Sequence, residues 1–135
     1  MRRSVTVVVA LGLILGGFAL TENALGATTP PVKKVTITGT ACANGLYCYK
    51  PVALTVTKGT KVVWTNTSGV PHTVTRCSKA ACNGANGGTG KQSGLASQTI
   101  GSHKTYAFTF KLAGTYRYYC KFHGYGVMHG TVTVK

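Results

Sequence analysis

The chain of 135 residues is long enough for one domain and is strongly basic: 15 Lys and Arg residues face a single acidic residue, and the formal net charge at pH 7 is +14. Removal of residues 1–26, which resemble an export signal, would leave no acidic side chain and lower the Lys and Arg count from 15 to 13. Such a domain has no side-chain carboxylate for acid–base catalysis, for a hard cation or for an internal salt bridge. Its surface attracts anionic partners, but only Lys33-Lys34 are adjacent in the domain, which argues against a specific nucleic-acid site.

The N-terminal segment has the pattern of a secretory signal peptide. Arg2-Arg3 precedes an apolar run from Val5 to Leu20, and Ala24-Leu25-Gly26 supplies the small residues that a signal peptidase requires. A retained membrane anchor is the alternative, but the run is short for a transmembrane helix and contains three glycines. We therefore predict a cleaved signal at residues 1–26 and one exported domain at 27–135, periplasmic or extracellular, that does not insert stably into a membrane.

Beyond residue 34 the apolar residues recur with a period of two, as they do in half-buried β-strands. The alternating runs of β-branched and aromatic residues are Val35–Ile37, Leu54–Thr57, Val62–Thr65, Tyr106–Phe110, Tyr116–Tyr118 and Val132–Val134. Turn sequences such as Lys58-Gly59-Thr60 separate them, and no segment has a sustained helical stripe. About seven to eight short strands predict an all-β domain, a Greek-key sandwich or barrel.

Five cysteines fit an exported protein, and four of them can form two disulfides in three connectivities. The pairs Cys42–Cys48 and Cys77–Cys82 are mildly favoured because short loops close readily. The second pair would stiffen the start of Cys77–Leu95, a segment rich in Gly, Asn, Ser and Ala that predicts a long surface loop. Cys120 is then left unpaired, and a free thiol in an oxidising compartment requires a functional reason.

Soft metal ligands collect near the end of the chain, in the stretch YYCKFHGYGVMHG (Tyr118–Gly130). Cys120 and His123 are three residues apart, which puts a thiolate at a strand end and an imidazole in the following loop, close enough to share one metal. His72, which follows a proline upstream, supplies a second imidazole from another strand.

Strand parity selects among the remaining candidates. Cys120 has the parity of the inward residues Tyr116 and Tyr118, and Met128 has that of Val132, whereas His129 has the outward parity. One thiolate, two imidazoles and a distant thioether form a trigonal site with a weak axial ligand, which suits copper in both of its oxidation states. Zinc could use the same set, but structural zinc sites seldom include methionine.

These segments resemble the cupredoxins, the small blue copper family of plastocyanin, amicyanin and pseudoazurin. The resemblance is carried by KGTKVVWTNTSGVPHTV (Lys58–Val74) and GTYRYYCKFHGYGVMHGTVTV (Gly114–Val134), and the Cys-x2-His-x4-Met spacing is that of plastocyanin. It extends from about Val35 to the end of the chain, with the loop Cys77–Leu95 outside it.

The resemblance implies one type 1 copper ion with His72 and His123 as imidazole ligands, Cys120 as thiolate and Met128 as axial thioether. It also implies that electrons leave through the exposed edge of His123. In the family the residue after the first histidine, often Asn, steadies the cysteine sulfur; here it is Thr73, so only the backbone N–H can take that role. The acidic docking patches of plastocyanin have no counterpart, so its partner cannot be inferred from that relative.

The expected function is therefore one-electron transport between redox proteins, without catalysis, by a monomer whose partner presents an acidic docking surface. A copper-handling protein is one alternative, but only two methionines are present and one is the initiator. A basic polyanion-binding protein on the same fold is another. Four scattered histidines cannot build the trinuclear cluster of a multicopper oxidase.

Without carboxylates, the metal-free domain is expected to keep nearly constant stability from about pH 2 to pH 5.

Several neighbouring residues have a simpler interpretation. Trp64 is expected to pack in the core rather than relay electrons, and His103 to be solvated in a turn. His129 is expected to be an exposed loop residue rather than a ligand. Tyr119 is either an electron entry point or an ordinary edge-strand tyrosine. Tyr125 and the nearby Val127 either form an apolar collar for docking or fill loop space.

Overall fold

The alternating runs of the sequence form strands that bury every second side chain. In the computed structural model, which describes residues 28–43 and 45–135, eight strands are present and no α-helix. The strands are β1 (Val32–Thr38), β2 (Cys48–Lys50), β3 (Ala53–Val56), β4 (Lys61–Asn66), β5 (Thr75–Arg76), β6 (Thr105–Thr109), β7 (Gly114–Tyr119) and β8 (His129–Val134). The predicted signal at 1–26 lies outside the described residues. Within them, no helix has the length and apolar character needed to cross a bilayer.

Two four-stranded sheets form a β-sandwich, which confirms the predicted fold class. The first sheet has the order β2-β1-β4-β6 and the second β3-β8-β7-β5. The pairs β1–β4 and β3–β8 are parallel, and the other neighbours are antiparallel. Because β7 and β8 are antiparallel neighbours, with Tyr119 opposite His129, the end of β7 and the start of β8 meet at one end of the sandwich.

Aromatic side chains fill the space between the sheets. Trp64 is fully buried, as predicted, and its ring contacts those of Tyr118 and Phe110 at centroid distances of 5.5 and 6.4 Å. Burial of each large apolar side chain contributes about 1.5–3 kcal/mol to folding.

The segment Cys77–Leu95 is a loop, as predicted, but it is not confined to the surface, because Cys77, Cys82 and Leu95 are buried. The guanidinium of Arg76 lies over the Tyr116 ring, 5.1 Å from its centroid, and donates to backbone carbonyls of the loop. These carbonyls belong to Gly87, Gly88, Gly90 and Gln92. The loop thus closes one side of the core with an arginine that no carboxylate of the described residues neutralises.

Both favoured disulfides are present. Cys42 pairs with Cys48 and Cys77 with Cys82, with Cα atoms 5.7 and 5.6 Å apart. Cys120 is the one free cysteine of the described residues and is fully buried.

Candidate metal centre

A short turn joins β7 to β8 and carries three of the four predicted ligands. Cys120 directly follows β7, and Met128 directly precedes β8. The backbone N–H of Gly124 donates to Cys120 O at 3.0 Å, and Met128 N–H donates to Gly124 O at 3.0 Å. The N–H of Cys120 donates to Met128 O at 3.0 Å, which closes the turn at its base. These bonds hold Cys120, His123 and Met128 at one end of the sandwich.

The structure brings the thiol and the two predicted imidazoles together. Cys120 Sγ lies 3.3 Å from Nδ1 of His123 and 3.8 Å from Nδ1 of His72. The three donor atoms all lie within 4.8 Å of one another. Cys120, His72 and Met128 are fully buried, whereas His123 is half-buried and reaches the surface.

The alternative ligand His129 points away from this cluster. It is exposed, its Nδ1 lies 2.8 Å from the carbonyl oxygen of Tyr125, and its ring stacks on that of Tyr125 at 4.6 Å. The parity argument that placed Met128 inside and His129 outside is therefore confirmed. Tyr125 packs on this exposed histidine, and Val127 is half-buried against the core.

A polar chain orients His72. The amide Nδ2 of Asn66 donates to the backbone carbonyls of Val70, Ile100 and Gly101 at 2.8, 3.0 and 3.1 Å. Its Oδ1 is therefore an acceptor and faces the hydroxyl of Ser68 at 2.8 Å. The one hydroxyl proton of Ser68 is directed to this oxygen or to Val70 O, so the hydroxyl accepts from Nε2–H of His72 at 2.8 Å. This tautomer leaves Nδ1 of His72 unprotonated and turned toward the thiol.

The segment after His72 supports the sulfur of Cys120. The backbone N–H of Thr73 donates to Cys120 Sγ at 3.4 Å, the contact that the resemblance implied. The hydroxyl of Thr73 accepts from the N–H of Lys121 at 2.9 Å, and its carbonyl accepts a short hydrogen bond from the buried phenol of Tyr49. Thr73 thereby links the two sheets beside the thiol.

An aromatic side chain covers the two imidazoles. The ring of Tyr47 lies 4.9 Å from that of His72 and 4.8 Å from that of His123, measured between centroids. Tyr47 belongs to the short loop closed by the disulfide between Cys42 and Cys48.

The electrostatics of the site suit neutral imidazole ligands. Burial, with a smaller contribution from the nearby His123, lowers the pKa of His72 from 6.5 to about 4. Burial also lowers the pKa of His123. Both rings are therefore available at neutral pH without competition from protons. Nitrogen and thiolate donors, without a carboxylate from any described residue, suit copper rather than Mg²⁺ or Ca²⁺.

The supporting residues were not identified from the sequence. Ser68 and Asn66 lie within the quoted segment Lys58–Val74, but only the fold shows that they contact His72. Tyr47 lies far from both histidines along the chain, and no local pattern in the sequence points to its contact with them. His103 is exposed in a turn, as expected. Tyr119 is half-buried but does not lie on an edge strand, because β7 is flanked by β5 and β8, with Thr75 and His129 opposite Tyr119. Its use as an electron entry point stays a prediction.

Comparison with known proteins agrees with this site. The family model of copper binding proteins, plastocyanin/azurin family, matches residues 36–135. The plastocyanin of Scenedesmus fuscus is 29% identical over 92 residues, which cover 68% of this chain and 91% of that protein. Plastocyanin A/B of Petroselinum crispum is 31% identical over 91 residues, covering 67% of this chain and 91% of that protein.

Solved structures with the same fold include a purple cupredoxin from Nitrosopumilus maritimus. It superposes with a TM-score of 0.59 at 26% identity, covering 76% of this chain and 98% of that chain. The reduced form of an amicyanin mutant superposes with a TM-score of 0.56 at 26% identity, covering 81% of this chain and 87% of that chain.

Proposed function

This chain belongs to the plastocyanin/azurin family of copper-binding proteins, and on that basis we propose that it is a one-electron carrier and not an enzyme. The protein binds one type 1 copper ion. When bound, copper supplies the couple between Cu(I) and Cu(II). The observation that carries the proposal is the convergence of a buried thiol and two imidazoles, with donor atoms within 4.8 Å of one another.

We propose that His72, Cys120 and His123 would hold the copper ion and that Met128 would add a weak thioether ligand. The case for Met128 is its complete burial and its backbone bond to Cys120, which holds the two residues next to each other at the base of the turn. The ligands come from the turn between β7 and β8 and from the segment after β4, so the sandwich holds them from two sides.

Restraint of the ligands is the property that an electron carrier needs. His72 is fixed by Ser68, and Cys120 receives the Thr73 N–H and closes the turn at its own backbone. A site whose donors stay in place when the ion changes charge has little reorganisation to perform at each transfer. These hydrogen bonds support fast transfer rather than delivery of the metal, for which ligands must open.

The partner is proposed to dock over His123, the ligand that reaches the surface. Two exposed apolar side chains belong to the loops around the centre: Phe122, beside His123, is 55% exposed, and Leu46, beside Tyr47, is 52% exposed. Lys121 is exposed in the same turn, and no described residue has an acidic side chain to oppose its charge. An apolar contact with a positive charge beside it supports a redox protein with an acidic docking surface.

Voltammetry and stopped-flow kinetics test the proposal. The copper-loaded protein should show a reversible one-electron couple, and its reaction with anionic hexacyanoferrate should slow as salt is added. Lys121→Gln should reduce that rate more than Lys79→Gln, a matched change of an exposed lysine in the loop Cys77–Leu95. Loss of copper on each reduction would instead indicate a copper-handling protein, and a chain that binds heparin but no copper would indicate a polyanion-binding protein.

We also propose that residues 1–26 direct export, that the mature monomer comprises 27–135, and that it acts in the periplasm or outside the cell. Two observations on the sequence support this: the basic and apolar order of the segment and its small-residue site at Ala24-Leu25-Gly26. Mass spectrometry of the protein recovered from the cell envelope tests it. A mass that retains residues 1–26 would favour the membrane anchor.

A further inference from the structure

Tyr47 contacts both histidines of the candidate centre but belongs to neither ligand segment. Its ring centroid lies 4.9 Å from that of His72 and 4.8 Å from that of His123, and the two imidazoles are themselves 4.8 Å apart. Its contact with His72 is edge-on, with an interplanar angle of 65°, and that with His123 is tilted at 44°. One aromatic ring therefore packs against the imidazole pair as a unit.

The loop that carries Tyr47 is restrained. The disulfide between Cys42 and Cys48 joins residues six apart, and Cys48 begins β2, so Tyr47 sits directly beside a covalent anchor on the sheet. The phenyl ring also lies against Gly39 across the loop. A Cβ at Gly39 would stand 2.9 Å from Cε1 of Tyr47, closer than side chains tolerate.

Tyr47 also borders a cavity that is open to solvent. A surface cavity of about 460 Å³ is lined by Gly39, Leu46, Tyr47 and Ser68, among others. Tyr47 thus has one side toward this cavity and its ring against the imidazoles. The lining of this cavity includes Tyr47 but neither histidine, so the tyrosine separates the imidazoles from solvent on this side.

We propose that Tyr47, fixed by the Cys42–Cys48 disulfide, shields the imidazole pair and controls the rate at which the metal exchanges with external ligands. The inference depends on the proposed ligands His72 and His123. It assigns to the disulfide a function at the metal centre: an unrestrained loop would let the ring turn away, which would expose the buried His72 to water and increase the exposure of His123.

Chelator extraction tests the shield. The copper-loaded protein is reduced and mixed with excess bathocuproine disulfonate, and Cu(I) loss is followed over time. Tyr47→Ala is expected to speed extraction about tenfold, the loss of two aromatic contacts, whereas Tyr47→Phe, which keeps the ring, should remain close to wild type. The matched control is Tyr125→Ala, which removes a ring stacked on the non-ligand His129.

Two further changes, each with a matched control, distinguish shielding by Tyr47 from a general destabilisation of the fold. Replacing Cys42 and Cys48 by Ala should also accelerate extraction, but should add little in the Tyr47→Ala background, because both changes remove the same restraint. The same replacement of Cys77 and Cys82 is the control. Gly39→Ala should act like Tyr47→Ala, while Gly69→Ala, whose Cβ would meet nothing within 4 Å, should not.

A measurement on the metal-free protein completes the test. The ring protons of His72 and His123 should shift in NMR spectra when Tyr47 becomes Ala and remain in place when it becomes Phe. Unchanged extraction and unchanged shifts in Tyr47→Ala, with copper bound normally, would overturn the shield and leave the proposed function intact. Failure of the wild-type protein to bind copper would overturn both.

Discussion

Acidification of the metal-free protein is expected to cost up to about 3 kcal/mol of folding free energy between pH 6.5 and pH 4 through His72, less where solvent screens the imidazole. Burial depresses the pKa of this imidazole from 6.5 in the unfolded chain to about 4 in the folded protein. Between these values the unfolded state binds a proton that the folded state does not. The stability that the neutral ring provides is therefore complete above pH 6.5 and is lost as the pH falls through 4. A difference of about 2.5 pH units at 1.36 kcal/mol each gives the stated magnitude.

The same reasoning predicts a plateau at lower pH. Proteins usually continue to lose stability in acid because native carboxylates become protonated, and no described residue has a carboxylate side chain. Once His72 and His123 are protonated in both the folded and the unfolded state, little remains to titrate. The pH range of nearly constant stability, which the sequence predicts between about pH 2 and pH 5, therefore lies below about pH 4. The loss of stability on acidification ends near pH 4 and does not begin there.

Urea unfolding of the metal-free protein at pH steps from 7.5 to 2.5 is the assay. His72→Gln removes one of the two titrating rings and should reduce the slope, whatever its effect on stability at neutral pH; the slope that remains is assigned to His123, whose pKa burial also lowers. His103→Asn is the matched control, because His103 is exposed in a turn with a φ of 58°, a conformation that Asn tolerates. A curve that stays level between pH 6.5 and 4, or a slope that is undiminished in His72→Gln, would refute the reasoning.

Three further substitutions probe the centre. Cys120→Ser should abolish the intense visible charge-transfer absorption of the copper-loaded protein while far-ultraviolet circular dichroism shows an unchanged fold; a retained band would exclude Cys120 as the thiolate ligand. Ser68→Ala should weaken copper binding roughly 10–100-fold in a competition titration, because the Nε2–H of His72 loses its acceptor, and Ser68→Thr should restore it. Tyr49→Phe should lower the free energy of unfolding by about 1–3 kcal/mol in thermal or urea denaturation, because the buried carbonyl of Thr73 is left without its donor; no change in stability would argue that water replaces the phenol.

The strands that alternate strongly were predictable because one face of each is buried. β4, with Val62 and Trp64 inside, and β8, with Val132 and Val134 inside, show a period of two that local sequence alone imposes. β2 and β5 were missed because they contain three and two residues, too few to show any period. The parallel pairing of β1 with β4 joins segments far apart in the chain, and no local pattern specifies it.

In the candidate centre too, local features were predictable from the sequence and long-range contacts were not. Cys120, His123 and Met128 lie within one turn, so their spacing was visible, and parity separated Met128 from His129. Ser68 is only four residues from His72, yet its hydroxyl reaches Nε2 because of how the chain bends after β4, which depends on Asn66 and its three carbonyl partners. Tyr47 meets the imidazoles only when the two sheets are packed together, so its contact is a property of the assembled sandwich.

The guanidinium of Arg76 binds the loop Cys77–Leu95 to the core without the carboxylate partner that an arginine often has. It is held by backbone carbonyl oxygens and by the face of Tyr116, and neither kind of acceptor takes up a proton in dilute acid. An arginine paired with aspartate would release its loop as the carboxylate became neutral. Here the contacts of Arg76 do not depend on pH. The loop is therefore expected to stay packed against the core at an acidic pH that would release a loop held by an ion pair.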